Sequence, residues 1–129
     1  MTDKEIARML RQYFEGLFPK SCPKCSRHFA TLREYVRATE QVWPVVSYDA
    51  ESNDYEPLDP IGIFAMANCP CGTTMALSTE RMPRSETLHI LGWIRAETKR
   101  TGLNATALLN GVRDEIRGQL LVEPIREVA

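Results

Sequence analysis

Four cysteines are all the thiols this chain contains, and they fall in two tight pairs, Cys22-Pro23-Lys24-Cys25 and Cys69-Pro70-Cys71-Gly72. The pairs stand 43 residues apart. Within each pair the sulfurs are neighbours whatever the fold, and a fold that joins the pairs assembles four thiolates around one point. Such a set fills the tetrahedral shell of a structural zinc ion and leaves no position open for substrate. Pro23 and Pro70 stiffen the turns, and Gly72 permits the backbone angles at which amide N–H groups point at sulfur. Cys22, Cys25, Cys69 and Cys71 are therefore the expected metal ligands.

Zinc is the default metal, and iron held by four thiolates comes second. Other uses of cysteine fit less well. Two disulfides would suit a secreted domain, but the chain opens Met1-Thr2-Asp3-Lys4-Glu5 without the basic start and apolar run of a signal peptide. A redox Cys22/Cys25 pair needs no second pair, and c-type haem attachment requires His where Ser26 stands. His28 could replace one thiolate, although a place beside the site suits it better, and His89 falls in a predicted helix. Lys20, Lys24 and Arg27 surround the first pair and would offset the negative charge of a tetrathiolate centre.

Catalysis finds no constellation. The sequence has no H-E-x-x-H, G-x-S-x-G, P-loop or G-x-G-x-x-G, and its two histidines leave little for acid–base work. A zinc deaminase would need His-x-Glu and a proline before Cys22, where Ser21 stands. Acids at 49–59 lack the spacing and closing Glu of a calcium loop. The expectation is a non-enzyme.

Positioning these residues falls to 129 residues that are 43% hydrophobic and 26% charged, enough to bury a core as one domain over 1–129. Formal net charge is -1, with no global pull toward nucleic acid or acidic membranes. No apolar run approaches a membrane span. Together with the missing signal sequence, this predicts a cytoplasmic protein whose thiols stay reduced.

An apolar stripe at Ile6, Met9, Leu10, Tyr13, Phe14, Leu17 and Phe18 predicts a helix over 3–18, ended by Pro19. A second helix is expected over 29–41, with Phe29, Leu32, Tyr35 and Val36 turned inward. Residues 43–49 read as a strand and 50–60 as an acidic loop. Strands at 61–68 and 73–78 make a hairpin whose tip carries Cys69 and Cys71. Ser85 is the expected N-cap of a helix over 85–100, with Leu88, Leu91, Ile94 and Ile90 toward the core; Thr101-Gly102 stops it. Asn104 caps a last helix over 105–121, with Leu108, Leu109, Val112, Ile116 and Leu120 inward, and Pro124 ends it. Trp93 lies off its helix's stripe and is the expected exposed contact residue. The fold class is α+β: a small antiparallel sheet with zinc-ribbon-like knuckles, packed with about four amphipathic helices.

Over 22–29 and 61–78 the cysteine turns resemble those of the zinc-ribbon and treble-clef group. The ligand set is also similar to that of redox-regulated holdase chaperones, whose zinc is held by C-x-C and C-x-x-C and released on oxidation. Here the order is reversed and the chain is much shorter. Three roles follow. The first is a protein-interaction or regulatory module meeting an unidentified partner or a second copy as a homodimer. The second is a redox sensor that releases zinc on oxidation. The third is a nucleic-acid-binding zinc ribbon using Lys20, Lys24 and Arg27, a reading not favoured because the last helix sets Arg113 and Arg117 against Asp114 and Glu115.

Overall fold

The computed structural model describes residues 3–42, 44–47, 49–50 and 62–122. The predicted loop over 50–60, apart from Ala50, and the end of the chain after Pro124 lie outside the described residues. Among those described, four helices pack with short antiparallel sheets, an α+β fold.

Helix α1 (Asp3–Glu15) buries Ile6, Ala7, Leu10 and Phe14, the inner edge of the predicted stripe. It stops before Leu17 and Phe18. The Leu17 N–H bonds Phe14 O and the Phe18 N–H bonds Glu15 O, a tightened last turn ahead of a proline. Strands β1 (Lys20–Ser21) and β2 (His28–Phe29) then form a small hairpin around the first cysteine pair, with Lys20 opposite Phe29. Helix α2 (Leu32–Ala38) is thus shorter than the predicted 29–41, because Phe29 belongs to β2 and residues 40–41 to another strand. Thr31 caps α2 by accepting the Glu34 N–H at 3.2 Å, while the Glu34 carboxylate accepts the Ala30 N–H at 2.8 Å.

The larger sheet has β5 (Ile63–Asn68) as its spine. Along one edge β6 (Thr74–Ser78) pairs from Phe64↔Ser78 to Asn68↔Thr74. The other edge is shared by β3 (Glu40–Gln41), opposite Asn68 and Ala67, and β4 (Val46–Ser47), opposite Phe64 and Ile63. Of the predicted strand over 43–49 only Val46–Ser47 is strand: Trp43 and Tyr48 lie outside the described residues, and Pro44, which has no N–H to give a ladder, lies between β3 and β4.

Helix α3 (Arg84–Thr101) starts after Pro83 rather than at Ser85, and ends on Gly102, left-handed at φ 78°. Helix α4 (Ala105–Val122) is capped as expected, Asn104 Oδ1 accepting the Ala107 N–H at 2.8 Å. This last helix is the hub, in contact with α1, α2, α3 and β4. Arg11 donates to the Gln119 side chain at 3.2 Å and helps set α1 along it. One continuous core runs from Ile6 to Leu120.

Where Ser47, Asp49 and Ala50 meet residues 62–63, buried polar groups hold the backbone. The Gly62 N–H donates to Asp49 Oδ2 at 2.7 Å, and the Ile63 N–H donates to Thr79 Oγ1 at 2.9 Å. Gly62 has φ 97°, and a Cβ there would sit 2.3 Å from Thr79 Oγ1, so only glycine fits.

Candidate metal centre

Each cysteine pair closes a turn at the end of a hairpin, and both turns use the same two backbone hydrogen bonds. At the first, the Cys22 N–H donates to Arg27 O at 2.9 Å and the Ser26 N–H donates to Cys22 O at 3.0 Å. At the second, the Cys69 N–H donates to Thr73 O and the Gly72 N–H to Cys69 O, both at 2.8 Å. The residue after the second cysteine is left-handed in each, Ser26 at φ 65° and Gly72 at φ 95°. The C-x-C turn is the C-x-x-C turn made one residue shorter.

The first cysteine of each turn is buried, Cys22 and Cys69 both 2% exposed, and the second, Cys25 or Cys71, is exposed. The hairpins meet crosswise, with Cys22 Sγ 3.7 Å from Cys71 Sγ and Cys25 Sγ 3.6 Å from Cys69 Sγ. All four sulfurs lie within 4.8 Å of one another. A tetrahedral ion with metal–sulfur bonds of about 2.3 Å spaces its sulfurs about 3.8 Å apart. The four cysteines sit close enough to hold one metal ion.

Electrostatics point the same way. The backbone N–H groups of Cys25 and then Lys24 donate to the Cys22 sulfur and hold its pKa below the usual thiol value, against burial and the Cys71 thiol. The Thr73 hydroxyl, 3.2 Å from Cys71 Sγ, and then the Thr73 amide bring Cys71 down to about 6. At Cys69 the Cys71 amide favours the thiolate, yet burial and the Cys25, Cys71 and Cys22 thiols push the pKa up to about 12. Four negative sulfurs this close repel, and a cation removes the penalty. Tyr35, whose hydroxyl is pushed up to about 12 by burial and then by charge on Cys69, stands beside the centre and meets Phe29 edge to face, ring centroids 5.5 Å apart.

The other candidate residues divide. Lys20 is half-buried in β1, Lys24 is exposed in the turn, and the exposed Arg27 places its guanidinium 5.9 Å from the Phe29 ring. His28 is outside the cluster, exposed, with Nδ1 3.4 Å from Ser21 Oγ. Trp93 is a correction: it is 6% exposed and belongs to the core. At about 100° per residue, Thr87, Ile90, Leu91, Trp93 and Ile94 span an arc of about 160° that is buried. The buried face is turned toward Trp93, leaving Leu88 half-buried at its edge. Sequence reasoning missed Thr73 and Ser26, and it turned Tyr35 inward without linking it to the centre. Only Thr73, directly after Cys-Pro-Cys-Gly, carried a signal.

Among the described residues no helix is long and apolar enough to cross a membrane. Compared with family models, with curated proteins and with solved structures, the chain finds no match.

Proposed function

We propose that this chain is a non-catalytic zinc-binding protein whose centre at Cys22, Cys25, Cys69 and Cys71 is structural and holds an interaction or regulatory module in shape. The observation that carries the reading is the crosswise meeting of the two turns, with sulfur separations of 3.6 and 3.7 Å, near the edge of a zinc–thiolate tetrahedron. A four-thiolate shell has no open position, which disfavours chemistry at the metal. The reading assigns the protein to the reducing cytoplasm, where thiols remain free to ligate. Its partner is a second copy or another protein. Leu103, 50% exposed between α3 and α4, replaces Trp93 as the apolar contact candidate.

The test is metal content by mass spectrometry on protein purified without added metal, with Cys69→Ser alongside. About one zinc per chain, lost in the variant, supports the reading. Iron would redirect it to electron transfer, and four free thiols without metal would end it.

A second reading, the redox sensor, draws on the exposure of Cys25 and Cys71. Hydrogen peroxide would take two electrons from each pair of thiolates, forming a disulfide and water and expelling zinc. Zinc retained under mild oxidant, followed with a chromogenic chelator, would remove this alternative. The nucleic-acid reading fares worse, since Arg113 on α4 is half-buried against the protein's own interior.

A further inference from the structure

Four sulfurs can join as disulfides in three ways, and the cysteine centre does not treat the three alike. Cys25 and Cys71 are exposed, whereas Cys22 and Cys69 are each 2% exposed. A small oxidant therefore meets the second cysteine of either turn first, and a buried first cysteine is left to resolve it. Joining Cys25 to Cys71 would consume both exposed sulfurs together and leave Cys22 and Cys69 to react with no accessible partner. That pairing is set aside. Two remain, within each turn or across the turns.

Distance and ring size choose between them. The crosswise contacts already stand at 3.7 Å for Cys22–Cys71 and 3.6 Å for Cys25–Cys69. A disulfide bond is about 2 Å long, so each crossed pair needs to close by only about 1.6 Å. Side-chain rotation supplies that, and the turn hydrogen bonds from Ser26 N–H to Cys22 O and from Gly72 N–H to Cys69 O stay in place. Closing Cys69 onto Cys71 is harder. These cysteines flank a single residue, Pro70, so the small ring runs through a fixed φ. The C–S–S–C dihedral must still reach about 90°. Once Cys69 takes Cys25 instead, Cys22 has only Cys71 left.

We propose that hydrogen peroxide converts the centre into two crossed disulfides, Cys22–Cys71 and Cys25–Cys69, which tie together the same two hairpins that the metal ties. The inference deepens the redox reading above and rests on it. The exposed thiolate of Cys25 or Cys71 attacks one oxygen of the peroxide, the O–O bond breaks, and hydroxide leaves a sulfenic acid. The buried thiolate facing it, Cys69 or Cys22, attacks that sulfur, the S–O bond breaks, and a second hydroxide leaves. Each disulfide thus gives two electrons to one peroxide, and zinc, where bound, departs as the free ion. The β1–β2 hairpin remains fastened to the end of β5, across sequence separations of 49 and 44 residues. Links over loops of that length restrain the unfolded chain far more than links within a turn. Oxidation therefore shows in released metal and lost thiolate charge, with the fold retained.

The test takes the full chain as purified, treats it with a small molar excess of hydrogen peroxide, blocks free thiols with N-ethylmaleimide and digests it with trypsin for mass spectrometry. Lys24 separates Cys22 from Cys25, whereas no Lys or Arg lies between Arg37 and Arg81. Crossed links should therefore hold peptides 21–24, 25–27 and 38–81 in one mass, and fragmentation before Pro70 should place Cys25 on Cys69 and Cys22 on Cys71. Peptides 21–24 and 25–27 joined only to each other would overturn the proposal. So would Cys22 found on Cys69, or sulfinic acids without disulfides. The oxidised chain should also keep its exchange protection at Lys20–Ser21 and His28–Phe29, and loss of protection there would overturn the retained fold. Zinc release, followed separately with a chromogenic chelator, tests the redox reading by itself. Where zinc stays bound, that reading fails, and the same peptide map made on the chelated, metal-free chain still decides the pairing.

Discussion

Ser26 and Gly72 hold the same place in the two turns, yet only one of them suits it. Both have positive φ, 65° and 95°, and both close the turn through an N–H to the first cysteine's carbonyl. A side chain in this region costs roughly 1–2 kcal/mol. Ser26→Gly should therefore raise stability, by up to about 1 kcal/mol once the freer unfolded chain is counted, or about 4 °C in Tm. Gly72→Ala should lower it by a similar amount through backbone strain alone, since an added Cβ meets nothing within 4 Å. A melting experiment with metal present, in which Ser26→Gly has no effect or lowers Tm, would contradict this account. Thr79 offers a second test. Its hydroxyl is the acceptor for the buried Ile63 N–H, so Thr79→Val keeps the shape and orphans that donor, at a cost of about 1–3 kcal/mol. Thr79→Ser keeps the acceptor and should lose less in denaturant titration. A larger loss in Thr79→Ser than in Thr79→Val would assign the role to the methyl group instead.

At the scale of elements, what could be read in advance followed local rules. The knuckle hairpin was legible because Cys-Pro-Cys-Gly can hardly be anything but a turn. Asn104 and Gly102 were legible because caps act within a few residues. The sequence also carried Thr31-Leu-Arg-Glu34, a capping-box pattern that marks the true start of α2, but the apolar run from Phe29 concealed it. Strands β1 and β2 have two residues each, too few to show any period, so Phe29 looked helical. Trp93 was misplaced for another reason. A stripe drawn through Leu88, Ile90, Leu91 and Ile94 is as wide as the buried face of α3, but that face is rotated toward Trp93 and leaves Leu88 at its edge. One element can be tested directly. Thr31→Ala removes the α2 cap and should cost about 1 kcal/mol, with hydrogen exchange rising across Leu32–Ala38 rather than in α4. Uniform acceleration along the chain would mean that α2 does not open on its own.

For the whole molecule, the question is how much of the fold depends on the metal. Structural zinc contributes on the order of 10–16 kcal/mol in small fingers, as much as the entire stability of an ordinary domain. Those fingers have almost no core, whereas here apolar side chains from Ile6 to Leu120 form one, and α4 packs on α1, α2, α3 and β4 without help from sulfur. The dependence should therefore be graded along the chain. The β1–β2 hairpin reaches the core through Cys22 and Phe29 and is tied to β5 by the Cys22–Cys71 and Cys25–Cys69 contacts. Without metal, four thiols remain there, two of them 2% exposed. Chelation should lower Tm by more than about 10 °C, which corresponds to several kcal/mol for a chain of this size. It should also strip exchange protection from Lys20–Ser21 and His28–Phe29 first, while far-UV circular dichroism keeps most of its helical signal. Collapse of the helical signal on chelation would show that the core cannot stand without the centre. An unchanged Tm would show that the four sulfurs hold nothing together.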